Sequence, residues 1–273
     1  MKDRPSHDPT LPPLAVLGSG MLVTTPLQRR LALARPFLGV AAFAAAAATG
    51  CWWLTPFIVF FVFVAVVTVT HDVAHGSIGL SPHRTEWALF ALGAVLLESG
   101  HAYRHTHVRH HAVFPGPDDP EGDPARMSFW GAVLHGPIFL PRLWWWAYRR
   151  SMGQPVQRGW LLAEALWGLG IAVIAATLRP RTPAVAVYAM EVVVGSWVYP
   201  LLTVHLPHRN YGDTPLTQTH TLRGRIIPAL FLELTYHLEH HLYPQVPSHH
   251  LPALAQSLEP VFRRAGVRPR RVP

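Results

Sequence analysis

The chain has 273 residues, half of them apolar, with a mean hydropathy of +0.20 and only 14% charged, so it is long enough for one large domain or two small ones. That balance excludes an ordinary soluble domain and points to a membrane protein. The net charge of +8 is almost wholly arginine, Lys2 being the sole lysine; the arginines flank apolar segments instead of forming a stripe with aromatic platforms, which argues against nucleic acid and suits an anionic membrane face.

Residues 1–30 begin MKDRPSHDPTLPPLAVLGSG, polar and proline-rich, without the basic-then-apolar order of a signal peptide. They are expected to form a flexible cytoplasmic arm. From Pro36 to Thr70 no residue is charged, and the stretch is too long for one membrane span and about right for two. Its break is TGCWWLTP, an interfacial tryptophan pair followed by a proline that opens a helix, so spans are expected near 36–51 and 54–70. Cys51 is the only cysteine, which rules out an internal disulfide and a cysteine metal cage.

Two further apolar stretches, 87–97 (WALFALGAVLL) and 129–148 (FWGAVLHGPIFLPRLWWWAY), are too short or too interrupted by Pro and Arg to span. They are expected to lie in the interface, with Trp144, Trp145 and Trp146 at headgroup depth, and 226–236 is a third candidate of this kind. A second pair of spans is expected at 160–178 and 183–202, each carrying one acid, Glu164 and Glu191, that in lipid should face protein or be protonated. The fold class expected is thus all-α integral membrane, with four transmembrane helices in two hairpins, interfacial helices and a histidine-rich cytoplasmic cap. Its divisions are the arm (1–30), a membrane domain (31–258) and a basic tail (259–273).

Four spans leave both termini on one side, and of the 23 basic residues only Arg179 and Arg181 fall opposite. The termini, the 71–159 region and the tail are therefore expected in the cytoplasm.

The 18 histidines are not spread evenly. His71 and His75 fall in HDVAHGS, His107, His110 and His111 in HVRHH, and His237, His240 and His241 in HLEHH, all on the expected cytoplasmic side. Spacings of three and four place side chains on one helix face. A lone HxxxH is more often a surface pair than a ligand pair, but two HxxHH boxes with an HxxxH at one membrane face are hard to read as surface chance. Eight imidazoles exceed the roughly four that one zinc site uses, so two metals are implied. Imidazole alone does not name the element.

The three boxes, their order and the span pairs around them resemble the membrane di-iron fatty acid desaturase superfamily, which includes acyl-lipid desaturases and carotenoid hydroxylases and ketolases. The likeness runs from about residue 35 to 255. HDVAHGS is similar to the first box, HVRHHAVFPGPDDPEG to the second with its trailing acidic-Pro motif, and YHLEHHLYPQVPSHHLP to the third. The resemblance implies a ninth ligand upstream of the third box, where HLPHRNYGD stands: His208, with His205 as the lesser alternative. It leaves His101 and His105 as weaker candidates. Asp72, Asp118, Asp119 and Glu239 are candidates to orient metal-bound imidazoles.

The implied cofactors are two iron ions with O2 as co-substrate, and the implied setting is a bacterial cytoplasmic membrane. The substrate would be a lipid hydrocarbon, an acyl chain ahead of a carotenoid, held in a dry channel walled by spans two and four. No fused cytochrome, ferredoxin cysteines or nucleotide fingerprint is present, so the electrons imply a separate donor such as ferredoxin. The alternative from another class is a histidine-rich metal transporter, which predicts ligands in mid-span.

Overall fold

A computed structural model describes residues 11–273. The described residues are mostly helical, and among them four stretches are long and apolar enough to cross a membrane: Ser19–Ala48, Trp52–Ala74, Pro155–Leu178 and Ala184–His208. They contain the long helices α1 (Pro26–Ala48), α2 (Thr55–Ala74), α6 (Pro155–Leu178) and α7 (Ala184–Ser196). Between them lie α3 (Pro82–Leu96), α4 (Gly100–Val113) and α5 (Phe129–Arg150); α8 (His237–Leu242) and α9 (Leu251–Arg264) follow.

The helix of the first span, α1, begins ten residues before the expected start at Pro36, which lies inside it. The start signal is a capping box: the Thr25 hydroxyl accepts the Gln28 N–H at 3.2 Å, Gln28 Oε1 accepts the Thr25 N–H at 2.9 Å, and Pro26 takes the first helical position. Within α2 the valines carry the packing, Val59, Val62, Val66 and Val69 sharing one buried cluster with Phe43 of α1 and Leu89, Leu92 and Leu96 of α3. In lipid such packing rests on van der Waals fit and close backbone approach. Gly39 supplies the latter, since a Cβ there would lie 2.5 Å from Val62.

Of the three stretches expected as non-spanning helices, the first two are helical and the third is not beyond Leu230. The 87–97 stretch belongs to α3, whose C-terminal end is bound to two spans: Trp167 of α6 donates to the Ala94 carbonyl at 3.1 Å and Tyr188 of α7 to that of Val95 at 2.9 Å. The 129–148 stretch is one unbroken helix despite Pro137 and Pro141, started by Ser128, whose hydroxyl accepts the Gly131 N–H at 3.1 Å. The 226–236 stretch holds a single turn, Ile226–Leu230, because Leu232 and Glu233 adopt positive φ angles of 46° and 70° and end it.

Residues 1–10 of the expected arm lie outside the described residues, while Leu11, Leu14, Leu17 and Met21 pack on a C-terminal cluster. That cluster, built from Leu238 and Leu242 of α8 and Leu251, Leu254, Leu258 and Phe262 of α9, includes residues on both sides of position 258. A two-residue parallel ladder joins β1 (Leu222–Arg223) to β2 (Arg270–Arg271). By burying its leucines against α9, α8 turns its histidines the other way, toward the ends of α2 and α4.

Candidate metal centre

His71 lies in the last turn of α2 and His75 caps it. In α4, His107, His110 and His111 share a face, and His208 follows a π-helical stretch, Pro200–His205, that continues the fourth span. With the histidines of α8, these nine rings meet in one buried place.

They fall into two groups. His71, His75, His107, His111 and His240 present ring nitrogens within 4.8 Å of one another, as do His110, His208 and His241. His237 joins the second, its Nε2 3.1 Å from that of His208 and 3.1 Å from that of His241. In the first group His240 Nε2 lies 2.8 Å from His71 Nε2 and 2.8 Å from His111 Nε2, and His111 Nε2 is 3.2 Å from His107 Nε2. In the second, His110 and His208 Nε2 are 3.2 Å apart.

The outer nitrogens fix where the lone pairs are. His110 Nδ1 donates to Asp119 Oδ2 at 2.7 Å, His107 Nδ1 to Glu121 Oε2 at 3.1 Å and His208 Nδ1 to the Gln218 carbonyl at 3.0 Å. A neutral ring that donates from Nδ1 keeps a bare lone pair on Nε2. Those of His110 and His208 then face each other 3.2 Å apart, an arrangement that a cation between them stabilises. Nitrogens sharing one ion at a metal–nitrogen distance of about 2.0–2.1 Å and a right angle sit about 3 Å apart, the spacing observed. The donor set thus fits two ions, one in each group.

Electrostatics agree. Burial, and after it the charge of neighbouring imidazoles, holds His107, His111, His240 and His241 well below the ordinary histidine range, and burial pushes His237 down to about 3. At neutral pH these rings are uncharged and available as ligands. For His110 burial pulls the same way, but the hydrogen bond and charge of Asp119 outweigh it and raise the pKa.

The other candidates stand elsewhere. His205 is buried with Nδ1 donating to the Pro124 carbonyl at 2.9 Å, away from the cluster. His101 lies between Glu86 and Glu164, and His105 belongs to neither group of converging nitrogens. Asp119 takes an imidazole proton, whereas Asp118 is exposed 3.8 Å from Arg109. Asp72 comes no nearer to His71 Nδ1 than 3.5 Å; it accepts from the Ser248 backbone and hydroxyl at 3.1 and 2.7 Å and so ties α2 to the segment before α9. Glu239 accepts from Arg223 at 2.8 Å. Sequence reasoning passed over Glu121 and the Gln218 carbonyl. Glu121 stood in the quoted acidic-Pro motif; a backbone acceptor leaves no sequence signal.

A cavity of about 640 Å³ adjoins the cluster. Its walls are Val59, Phe63 and Val67 of α2 and Val194, Val198 and Leu202 of the fourth span, and His71, His107, His110, His237 and His240 line it too. Among the described residues no tryptophan contributes to the lining.

The sequence pattern named fatty acid desaturase matches residues 47–273. Among curated proteins, the chain is 27% identical to a beta-carotene ketolase from Paracoccus sp. over 81% of each chain. It is 24% identical to a dihydrorhizobitoxine desaturase from Bradyrhizobium elkanii, over 79% of this chain and 70% of the relative.

Proposed function

The chain belongs to the fatty acid desaturase family and is an oxidoreductase of that membrane superfamily, and from this premise we propose that it uses two iron ions and O2 to oxidise the hydrocarbon part of a membrane lipid. The observation that carries this reading is the convergence of nine imidazole nitrogens, in groups of five and four, beside an apolar cavity between two spans.

His71, His75, His107, His111 and His240 hold one ion, and His110, His208, His237 and His241 the other. When bound, the two irons supply the activation of dioxygen that removal of hydrogen from an unactivated carbon needs and no side chain provides. The protein's share is positioning. Asp119, Glu121 and the Gln218 carbonyl keep the inner nitrogens deprotonated and the rings oriented. The valine and phenylalanine walls exclude water and hold the chain to be oxidised with one segment beside His71 and His107.

Exposed Phe60, Met190, Val194 and Val198 also line the cavity, giving a lipid chain a sideways entry from the bilayer. An acyl chain is the substrate we favour; the ketolase relative, matched over most of both chains, supports a carotenoid as the second reading. The bias of basic residues supports a cytoplasmic histidine end, and the lack of any built-in redox group in the sequence supports a separate donor such as ferredoxin. A metal transporter finds no support, since the histidines gather at one end of the spans.

Expression in a bacterium that makes β-carotene, with a ferredoxin system and a His240→Ala control, tests the reading by mass spectrometry of lipids and pigments. A new double bond or hydroxyl in acyl chains, absent from the control, is the expected result. Oxygenated carotenoid with unchanged acyl chains transfers the protein to the second reading, and no change in either rejects both.

A further inference from the structure

A second file of buried ionisable side chains lies apart from the metal-centre histidines. It starts at Glu86, whose side chain is 29% exposed and paired with Arg104 at 2.7 Å. Glu86 Oε2 lies 3.1 Å from Nε2 of the fully buried His101, whose Nδ1 is 2.7 Å from Glu164 Oε1. The other Glu164 oxygen accepts the hydroxyl of Ser99. Next to Ser99 is a small cavity of about 20 Å³, lined also by Thr70, Glu98, Tyr103 and Tyr199.

Two polar atoms beside that cavity, Glu98 Oε1 and Thr70 Oγ1, are buried without a hydrogen-bond partner. Leaving such groups unpaired in a buried place is unfavourable. A space above roughly 10–15 Å³ with two or more polar neighbours holds a water, so one water fits and satisfies both. Burial pushes the Glu98 carboxyl up to about 8, so it carries a proton at neutral pH. Tyr103 and Tyr199 line both this cavity and the large one.

Helix capping explains part of the file: Glu164 accepts the His101 N–H at 3.3 Å and Ser99 that of Ala102 at 3.0 Å, at the start of α4. It does not explain an imidazole with a carboxylate at each ring nitrogen, nor a lone buried acid facing a water-sized space. An imidazole so placed passes a proton by accepting at one nitrogen and releasing at the other.

We propose that Glu86, His101, Glu164, Ser99 and Glu98, with one water in the small cavity, form a proton path from the protein surface to the Tyr103 and Tyr199 wall of the substrate cavity. The proposal rests on the oxidoreductase reading above. Desaturation turns one O2 into two waters with two hydrogens from the substrate, two electrons from the donor and two protons from solvent; hydroxylation puts one oxygen into the substrate and takes the same two electrons and two protons. Both outcomes need protons delivered, and the file ends at two tyrosines of a largely apolar cavity whose other titratable side chains include Glu121, Glu191 and His220.

The test begins with the metal-free protein in detergent at pH 7, by infrared spectroscopy on switching from H2O to D2O. Wild type should give a protonated carboxyl band that shifts with deuterium, missing from Glu98→Gln; no difference between the two overturns the proposal. Glu86→Gln, at the partly exposed start of the file and so safest for folding, should slow deuteration of that band at least tenfold, and an unchanged rate overturns the path. Reconstituted Glu98→Gln should bind as much iron as wild type, spend more reductant per product formed, and recover on Glu98→Asp; coupling equal to wild type overturns the proposal. A wild type that oxidises no lipid rejects the functional reading instead, while the infrared outcomes still decide the path.

Discussion

Each ring in the cluster has two nitrogens with separate tasks, and the outer one decides how well the inner one binds. Asp119 accepts the His110 proton at 2.7 Å, while its neighbour Asp118 points to solvent. Asp119→Ala should therefore weaken metal binding about 10–100-fold, measured by competition with a chelator, whereas Asp118→Ala should leave it unchanged; equal losses would show that only the loop matters. Spacing made eight of the nine inner histidines legible, because positions three and four apart on one helix share a face. The resemblance put His208 ahead of His205, as the structure places them, but the choice between Asp118 and Asp119 was not legible. Neighbours in one short motif differ only in direction, and direction depends on how the segment packs.

At the scale of elements, the fourth span changes winding. Its α-helix ends at Ser196, and the π-helical stretch Pro200–His205 lets the chain deliver His208 to the cluster while His205 faces Pro124. α5 packs beside this transition at Gly136, where a Cβ would lie 2.0 Å from the Trp197 carbonyl oxygen. Gly136→Ala should destabilise the protein by about 1–3 kcal/mol, seen as a lower Tm in detergent, with Gly168→Ala, which meets nothing within 4 Å, as the control. Equal melting of the two would contradict this contact. The charge-free run and the tryptophan pair made the spans legible, but their ends were not. Pro36, Pro137 and Pro141 look like breaks in sequence and lie inside helices, because a proline removes one hydrogen bond that the surrounding contacts can outweigh.

For the whole molecule, the centre is assembled from parts far apart in the chain. The ends of α2 and α4, the fourth span and α8 each supply imidazoles, and α8 owes its orientation to leucines packed on α9. The sequence carried the composition of this assembly and an apolar channel between spans two and four, but not which side chains line it, since the lining of a cavity follows from how helices cross. The measurement that tests the two-ion centre most directly is the iron content of the purified, reconstituted protein, with Mössbauer spectra and X-ray absorption, in wild type, His208→Ala and His205→Ala. Two irons per chain in mainly nitrogen surroundings are expected, with one ion lost from His208→Ala and both kept by His205→Ala. A single ion in the wild type, or two that survive His208→Ala and not His205→Ala, would contradict the division into groups of five and four.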